Sequence, residues 1–407
     1  MQHHEALSFI ETQEEHMKHL VWQWSSINSG SYHRAGLDRM RAALADNFLW
    51  LHGDMEEVPL QPMTHINARG EVQMIELAPA LRIRKRSDAP IKIFLCGHYD
   101  TVFGEEHPFQ APRLVDSNTI NGPGVADLKG GLVVMLKALE TLERSPLASQ
   151  IGWEILLNPD EEIGSIGSDP LLKEAAQRNH IGLIYEPSLP DGTIVSGRKG
   201  TGNFSIVMHG KAAHAGREHH LGRNAIVKLA ELTIACDALN GARPDVTINA
   251  GVIEGGVALN VVPDVAVMRF NVRIGTVEDQ HWVEQQITRI LEEFNQRHAP
   301  DYRAEIHGRF TRPPKIITHK DRALWDGLES SGAMLGLTIK SQPSGGCCDG
   351  NNLAAYGLSN IDTLGVRGGH IHSDQEYVLL DSLVERAKLS ALLLLRIANG
   401  EIVLSSS

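Results

Sequence analysis

The sequence predicts an α/β fold: a mostly parallel sheet covered by helices on both faces, with a smaller α+β domain inserted into it. Three observations predict the architecture. Compact apolar runs alternate with helical periodicity between residues 91 and 185, the rhythm of a parallel sheet with crossover helices. After about residue 197 the pattern turns to polar–apolar alternation, the mark of half-exposed strands. Beyond Arg312-Pro313-Pro314 the helical pattern returns.

Each element follows from its spacing. Ile10, Met17, Leu20, Val21 and Trp24 recur at helical intervals, as do Leu37, Met40 and Leu44, and Asn28-Ser29-Gly30-Ser31 separates the two helices. Ile91 to Cys96, Ile151 to Leu157 and Ile181 to Tyr185 read as buried strands. Leu128 to Leu142 carries apolar residues at 128, 132, 135, 136, 139 and 142, one face of a helix lying on the sheet. Asn203 to His209 and Val265 to Val272 alternate, and helices are expected near 222–239 and 278–297. Ala323 to Gly336 and Leu383 to Ala398 are helical again. Residues 1–197 and 313–407 therefore read as one discontinuous domain, and 198–312 as the inserted one, of normal domain size. The only low-complexity segment is the Ser405-Ser406-Ser407 tail.

Composition narrows the function classes. The chain has 407 residues, 42% hydrophobic and 22% charged, ordinary for a globular protein with a large core. A net charge of −12 argues against a nucleic-acid partner, whose phosphates demand a basic surface. Arg82, Arg84, Lys85 and Arg86 form one short basic cluster, read as a solvated strand end and turn. No run approaches the ~18 apolar residues of a membrane span. Four cysteines, Cys96, Cys236, Cys347 and Cys348, form no CxxC pair, and Met1-Gln2-His3-His4-Glu5 has no signal-peptide character. A cytoplasmic protein is the expectation.

The chemistry is carried by Gly97-His98-Tyr99-Asp100, Gly122-Pro123-Gly124-Val125-Ala126-Asp127, Asp160-Glu161-Glu162, Tyr185-Glu186-Pro187 and His370-Ile371-His372-Ser373. His98, the Glu161-Glu162 pair and Glu186 each follow a predicted strand, and in an open α/β sheet ligands bind beyond the carboxyl ends of strands. Two imidazoles with several carboxylates suit zinc, with cobalt or manganese as alternatives. Five candidate ligands suggest two ions. Asp127, among glycines that permit close backbone approach, is the natural bridge. Asp100, two residues from His98 on an extended segment, can accept the other ring N–H and fix the tautomer. Of Glu161 and Glu162, one can bind metal while the other takes a proton from water.

These motifs, in this order from about residue 28 to residue 398, resemble the dinuclear zinc hydrolases that include glutamate carboxypeptidase, acetylornithine deacetylase, succinyl-diaminopimelate desuccinylase and aminoacylase. The resemblance implies that His98 and Glu186 bind one zinc, Glu162 and His372 the other, and Asp127 bridges them, followed by a peptide bond that is often cis. It implies Glu161 as general base and Asp100 as the residue orienting His98. His372 rather than His370 holds the family position before Glu376-Tyr377-Val378. The segment Gly210-Lys211-Ala212-Ala213-His214-Ala215-Gly216 resembles the family's dimerisation motif, in which His214 reaches the partner subunit's site and stabilises the oxyanion. The same resemblance implies that Asn260 would face the substrate, that Arg273 would hold its carboxylate, and that Gly345 and Gly346 would belong to a substrate loop. Cys347-Cys348 depart from the small hydroxyl residues often found there and read as small buried thiols. His219 and His220 read as surface residues.

The expectation is a homodimeric hydrolase with two zinc ions that cleaves an amide or peptide bond of a small molecule or short peptide bearing a free carboxylate. Its surroundings look most like the carboxypeptidase branch. N-acyl-amino-acid deacylase and carbamoyl-amidase activities also fit. A non-catalytic metal-stabilised binding protein and a dinuclear phosphoesterase are the alternatives of other classes.

Overall fold

Strand Ile91–His98 feeds two cores at once. Ile93 and Leu95 point to one face of the sheet, among Leu132, Leu136, Leu139 and Leu393. Phe94 and Cys96 point to the other, among Leu172, Ala175 and Leu353. Period-two alternation of wholly apolar residues therefore requires helices on both sides. On the first side lies helix Gly131–Glu143, buried at nearly every position because helix Asp381–Ala398 covers it from outside. On the second lie helices Asp169–Arg178 and Asp349–Ala355. Fully burying each Leu or Ile contributes about 1.5–3 kcal/mol.

The computed structural model describes residues 3–404, so Met1, Gln2 and the serine tail lie outside the described residues. The main sheet has six strands in the order 54–58, 80–85, 151–158, 91–98, 181–184, 360–361. The last four run parallel. Strand Ala80–Lys85 joins antiparallel to Ile151–Asn158, and Asp54–Val58 antiparallel to Ala80–Lys85. The basic cluster is not simply a solvated turn: Arg82 and Arg84 meet Glu56, and Lys85 and Arg86 meet Glu143.

Residues 200–312 build a second, four-stranded antiparallel sheet, in the order 247–255, 265–274, 200–209, 303–312. Phe204, Ile206, Met268, Phe270 and Val272 form its own core with helices Ala225–Asp237 and Val277–His298. Asn224 caps the first helix, accepting the Val227 N–H at 3.2 Å. Thr276 and Asp279 form a capping box on the second. The other face of this sheet carries Arg269, Asn271 and Arg273. At its far end, Val207 and Val267 pack on Ile66 of a hairpin from the first part of the chain. Arg269 donates to the Ile66 carbonyl at 2.7 Å.

Candidate metal and active site

Three adjacent parallel strands end at one edge, and each delivers a ligand type there. His98 is the last residue of strand Ile91–His98. Glu161 and Glu162 lie in the loop after strand Ile151–Asn158, and Glu186 two residues after strand Ile181–Ile184. Asp127 arrives from a tight turn, Val125–Gly130, ahead of helix Gly131–Glu143. Glycine is required on either side of it. Gly124 sits at φ +71°, and a Cβ on Gly131 would stand 2.1 Å from the Tyr185 carbonyl oxygen. The Asp127–Leu128 peptide is cis. His372 comes from the loop between strands Gly368–Gly369 and Tyr377–Leu379.

Asp127 is the centre. Its Oδ1 lies 3.1 Å from His98 Nε2, and its Oδ2 lies 3.2 Å from His372 Nε2. His98 Nε2 stands 3.9 Å from Glu186 Oε1, and His372 Nε2 3.2 Å from Glu162 Oε2. One carboxylate thus presents a separate oxygen to each of two His–Glu groups. Ligand atoms of His98, Asp127 and Glu162 all lie within 4.8 Å of one another. His370 is exposed and tilts against Tyr377; His372 is the one brought onto Asp127.

Asp100 ties the two halves of the constellation together. It is fully buried. Its Oδ1 is 3.3 Å from His98 Nδ1, and its oxygens accept the Glu161 and Glu162 N–H groups at 3.2 and 3.1 Å. Ser31 adds an O–H at 2.7 Å. Glu376 does the same for Asp127: its carboxylate accepts N–H groups from Gly124, Ala126 and Asp127 at 2.9–3.0 Å. Glu161 is no bare carboxylate, because Arg312 donates to its Oε1 at 2.7 Å. Ser31, Glu376 and Arg312 have no motif of their own. In the sequence Ser31 reads only as part of a helix break, Arg312 as a domain exit, and Glu376 as the residue four places after His372.

The electrostatics fit divalent cations. Burial, then repulsion from Asp127, pushes the Glu162 and Glu186 carboxyls up, and burial raises Glu161 despite Arg312. Burial also acts on Asp127, but His372 and His98 outweigh it and hold this carboxyl down. Four carboxylates of Asp and Glu are thus crowded around two imidazoles in a site that is buried except at His372, which is exposed. Buried charge of this kind is stabilised by a metal, and the mixed imidazole–carboxylate set is one that zinc, cobalt or manganese accepts.

The remaining candidate residues lie on or beside the inserted sheet. Arg273 is half-buried, and its Nη1 donates to Cys347 Sγ at 3.1 Å while Nε donates to Asn271 at 3.0 Å. Cys347 is therefore not the buried thiol expected; it lies half-exposed beneath a guanidinium because Gly345 and Gly346, both exposed, turn the loop outward. Cys348 is buried. His214 is exposed on the short strand Ala213–His214, which pairs with Val261–Val262 next to exposed Asn260. The N–H groups of Gly216 and Arg217 both donate to His214 Nδ1 at 3.1 Å. With Nδ1 accepting, Nε2 is the ring nitrogen left to donate. His219 and His220 are exposed, as expected.

Buried carboxylates and imidazoles gathered on one aspartate, at the strand ends of an α/β sheet, define a metal-dependent hydrolase. The chain belongs to Peptidase family M20/M25/M40, whose sequence model matches residues 94–396. It is 28% identical over 315 residues to carboxypeptidase G2 of Pseudomonas sp. (strain RS-16), covering 76% of this chain and 74% of that protein. It is also 28% identical over 333 residues to the succinyl-diaminopimelate desuccinylase of Gluconobacter oxydans, covering 76% and 82%. Among solved structures, an M20 family metallo-carboxypeptidase from Sulfolobus solfataricus shares the fold, with a TM-score of 0.73 at 17% identity over 93% of this chain and 98% of that one. No helix among the described residues is long and apolar enough to cross a membrane.

Proposed function

We propose that the chain is a two-metal, carboxypeptidase-like exopeptidase that removes a residue with a free carboxylate from a small molecule or short peptide. The observation that carries this is Asp127 offering one oxygen to the His98–Glu186 group and the other to the His372–Glu162 group. His98, Glu186, Asp127, Glu162 and His372 would hold two divalent ions, which when bound would supply Lewis-acid polarisation of the scissile carbonyl and a more acidic water. Zinc is the first choice, with cobalt or manganese as substitutes. Glu161, whose Oε2 has no donor among the described residues, takes the water's proton and later passes it to the leaving amine. Asp100 holds His98 in orientation. Arg273 anchors the substrate carboxylate, which a guanidinium grips in a bidentate way. Asn260, Gly345 and Gly346 line the substrate's path.

His214 Nε2–H would stabilise the tetrahedral oxyanion, reaching it from the partner subunit of a homodimer. Residues 1–197 and 313–407 would be the metal-binding domain and 198–312 the dimerisation domain. Strand Thr247–Gly255 is an edge strand, and its own Val252 and Ile253 are exposed, as are Ile226, Val227 and Ile234 of helix Ala225–Asp237. An apolar face next to an unpaired sheet edge supports an isologous dimer. Four free cysteines support a cytoplasmic setting.

The test is a hydrolysis screen of dipeptides, N-acyl amino acids and N-carbamoyl amino acids, each with zinc, cobalt or manganese. Metal-dependent release of a C-terminal amino acid is the expected result. Turnover of acyl amino acids alone would move the protein to the deacylase branch. No turnover of any amide would overturn the reading.

A further inference from the structure

We propose that Arg312 is the positioning residue for the base. This rests on the reading of Glu161 as that base. Arg312 is the last residue of strand Arg303–Arg312, the final strand of the inserted sheet. Its side chain is nonetheless only 2% exposed and lies wholly against the other unit. Nη2 donates to Glu161 Oε1 at 2.7 Å, to the Glu161 carbonyl oxygen at 2.9 Å and to Ser165 Oγ at 3.0 Å. Nη1 donates to Asp349 Oδ1 at 2.9 Å and to Asn352 Oδ1 at 3.1 Å.

The guanidinium is therefore a planar bracket between two carboxylates. Asp349 is itself fixed by Asn158 Nδ2, at 2.8 Å, so one end of the bracket is rigid. The other end grips both the main chain and the side chain of Glu161, while Asp100 holds the Glu161 N–H from the opposite side. With Oε1 taken, Glu161 has one oxygen left for a proton, and its direction is set. Only a guanidinium serves both partners in one plane; an ammonium is a single point charge. The strand exit is pinned as well, since Asn352 Nδ2 donates to the Thr311 carbonyl and Asn351 Nδ2 to that of Pro313, at 3.0 and 2.7 Å. The base is thereby tied to the root of the inserted unit.

The experiment compares Arg312→Ala, Arg312→Lys and Glu161→Gln with the parent in metal content, melting temperature, kcat and KM. Arg312→Ala should keep its metal and its KM while kcat falls about 10–100-fold, the range for a lost outer-shell partner. Millimolar guanidinium should recover much of that loss in Arg312→Ala and none in Glu161→Gln. Arg312→Lys should stay low in kcat. Parental kcat in either Arg312 variant overturns the proposal. So does a loss that comes with metal release and is not recovered by guanidinium, which marks a purely structural arginine. If Arg312→Ala does not fold, the kcat of Arg312→Lys decides. Should Glu161→Gln stay active, the base reading itself has failed and the proposal falls with it, by a result that does not involve Arg312.

Discussion

The two halves of the proposed site are built in opposite ways. Around Asp127, every partner is already in place within one chain, and His98, Asp100 and Glu161 are almost wholly buried. In the inserted unit, Arg273 leans on Cys347, while His214 and Asn260 stand exposed and, among the described residues, make no hydrogen bond to the groups around Asp127. The first half is rigid because its positions are over-determined by backbone amides and buried carboxylates. On the proposed reading the second half is a set of donors that a substrate or a second chain would complete. A metal centre needs fixed ligands; substrate recognition needs access.

The sharpest way to break that contrast is to separate the halves onto different chains. His214→Ala should lower the rate about 10²–10³-fold, the usual cost of an oxyanion donor. Glu161→Gln should lower it about 10²–10⁴-fold. Mixed and allowed to exchange subunits, the two inactive proteins should regain activity, since a mixed dimer pairs an intact Glu161 with His214 of the opposite chain. Exchange verified by native mass without recovered activity would place His214 on its own chain's site. Near-parental activity of His214→Ala alone would make it a surface residue.

A smaller effect probes the rigid half. Glu376→Gln keeps the shape of the side chain but turns one acceptor into a donor facing the N–H groups of Gly124, Ala126 and Asp127. Metal affinity should weaken about 10–100-fold, as for other outer-shell losses, measurable by competition with a chelator. Unchanged affinity would mean that the Gly-rich turn holds Asp127 unaided.

How far the sequence foretells each half follows the same divide. His98, Glu161, Glu162 and Glu186 are legible at one sheet edge because strand periodicity is local and strand ends follow from it. Strands Asp54–Val58 and Thr247–Gly255 are not, because both are largely exposed and carry no sustained apolar alternation. Arg312 reads only as the end of a domain, since its partner Glu161 lies 151 residues away and no short-range pattern joins them. Cys347 is misread as buried because a thiol's size says nothing of the loop that carries it.

The smallest expected effect lies outside the site and serves as a control on the fold. Glu143 closes helix Gly131–Glu143 against Arg86, Lys85 and Trp153. Burial would raise its carboxyl, but those three donors outweigh burial and hold it at about 2, below the ordinary 4.5. A depressed folded value means that the stabilisation is present above about 4.5 and is lost as pH falls toward about 2. The gap in melting temperature between the parent and Glu143→Gln should therefore narrow across that window. A constant gap would show that the charge contributes nothing.

The central claim is a dinuclear centre with separate roles for two adjacent glutamates, and counting metal tests it most directly. Metal-free protein is loaded with zinc, freed of loosely bound ions and analysed for ions per chain, alongside Glu161→Gln and Glu162→Gln. The account predicts two ions in the parent and in the inactive Glu161→Gln, and weakened binding in Glu162→Gln. A fully active parent holding a single ion at saturating zinc would contradict it.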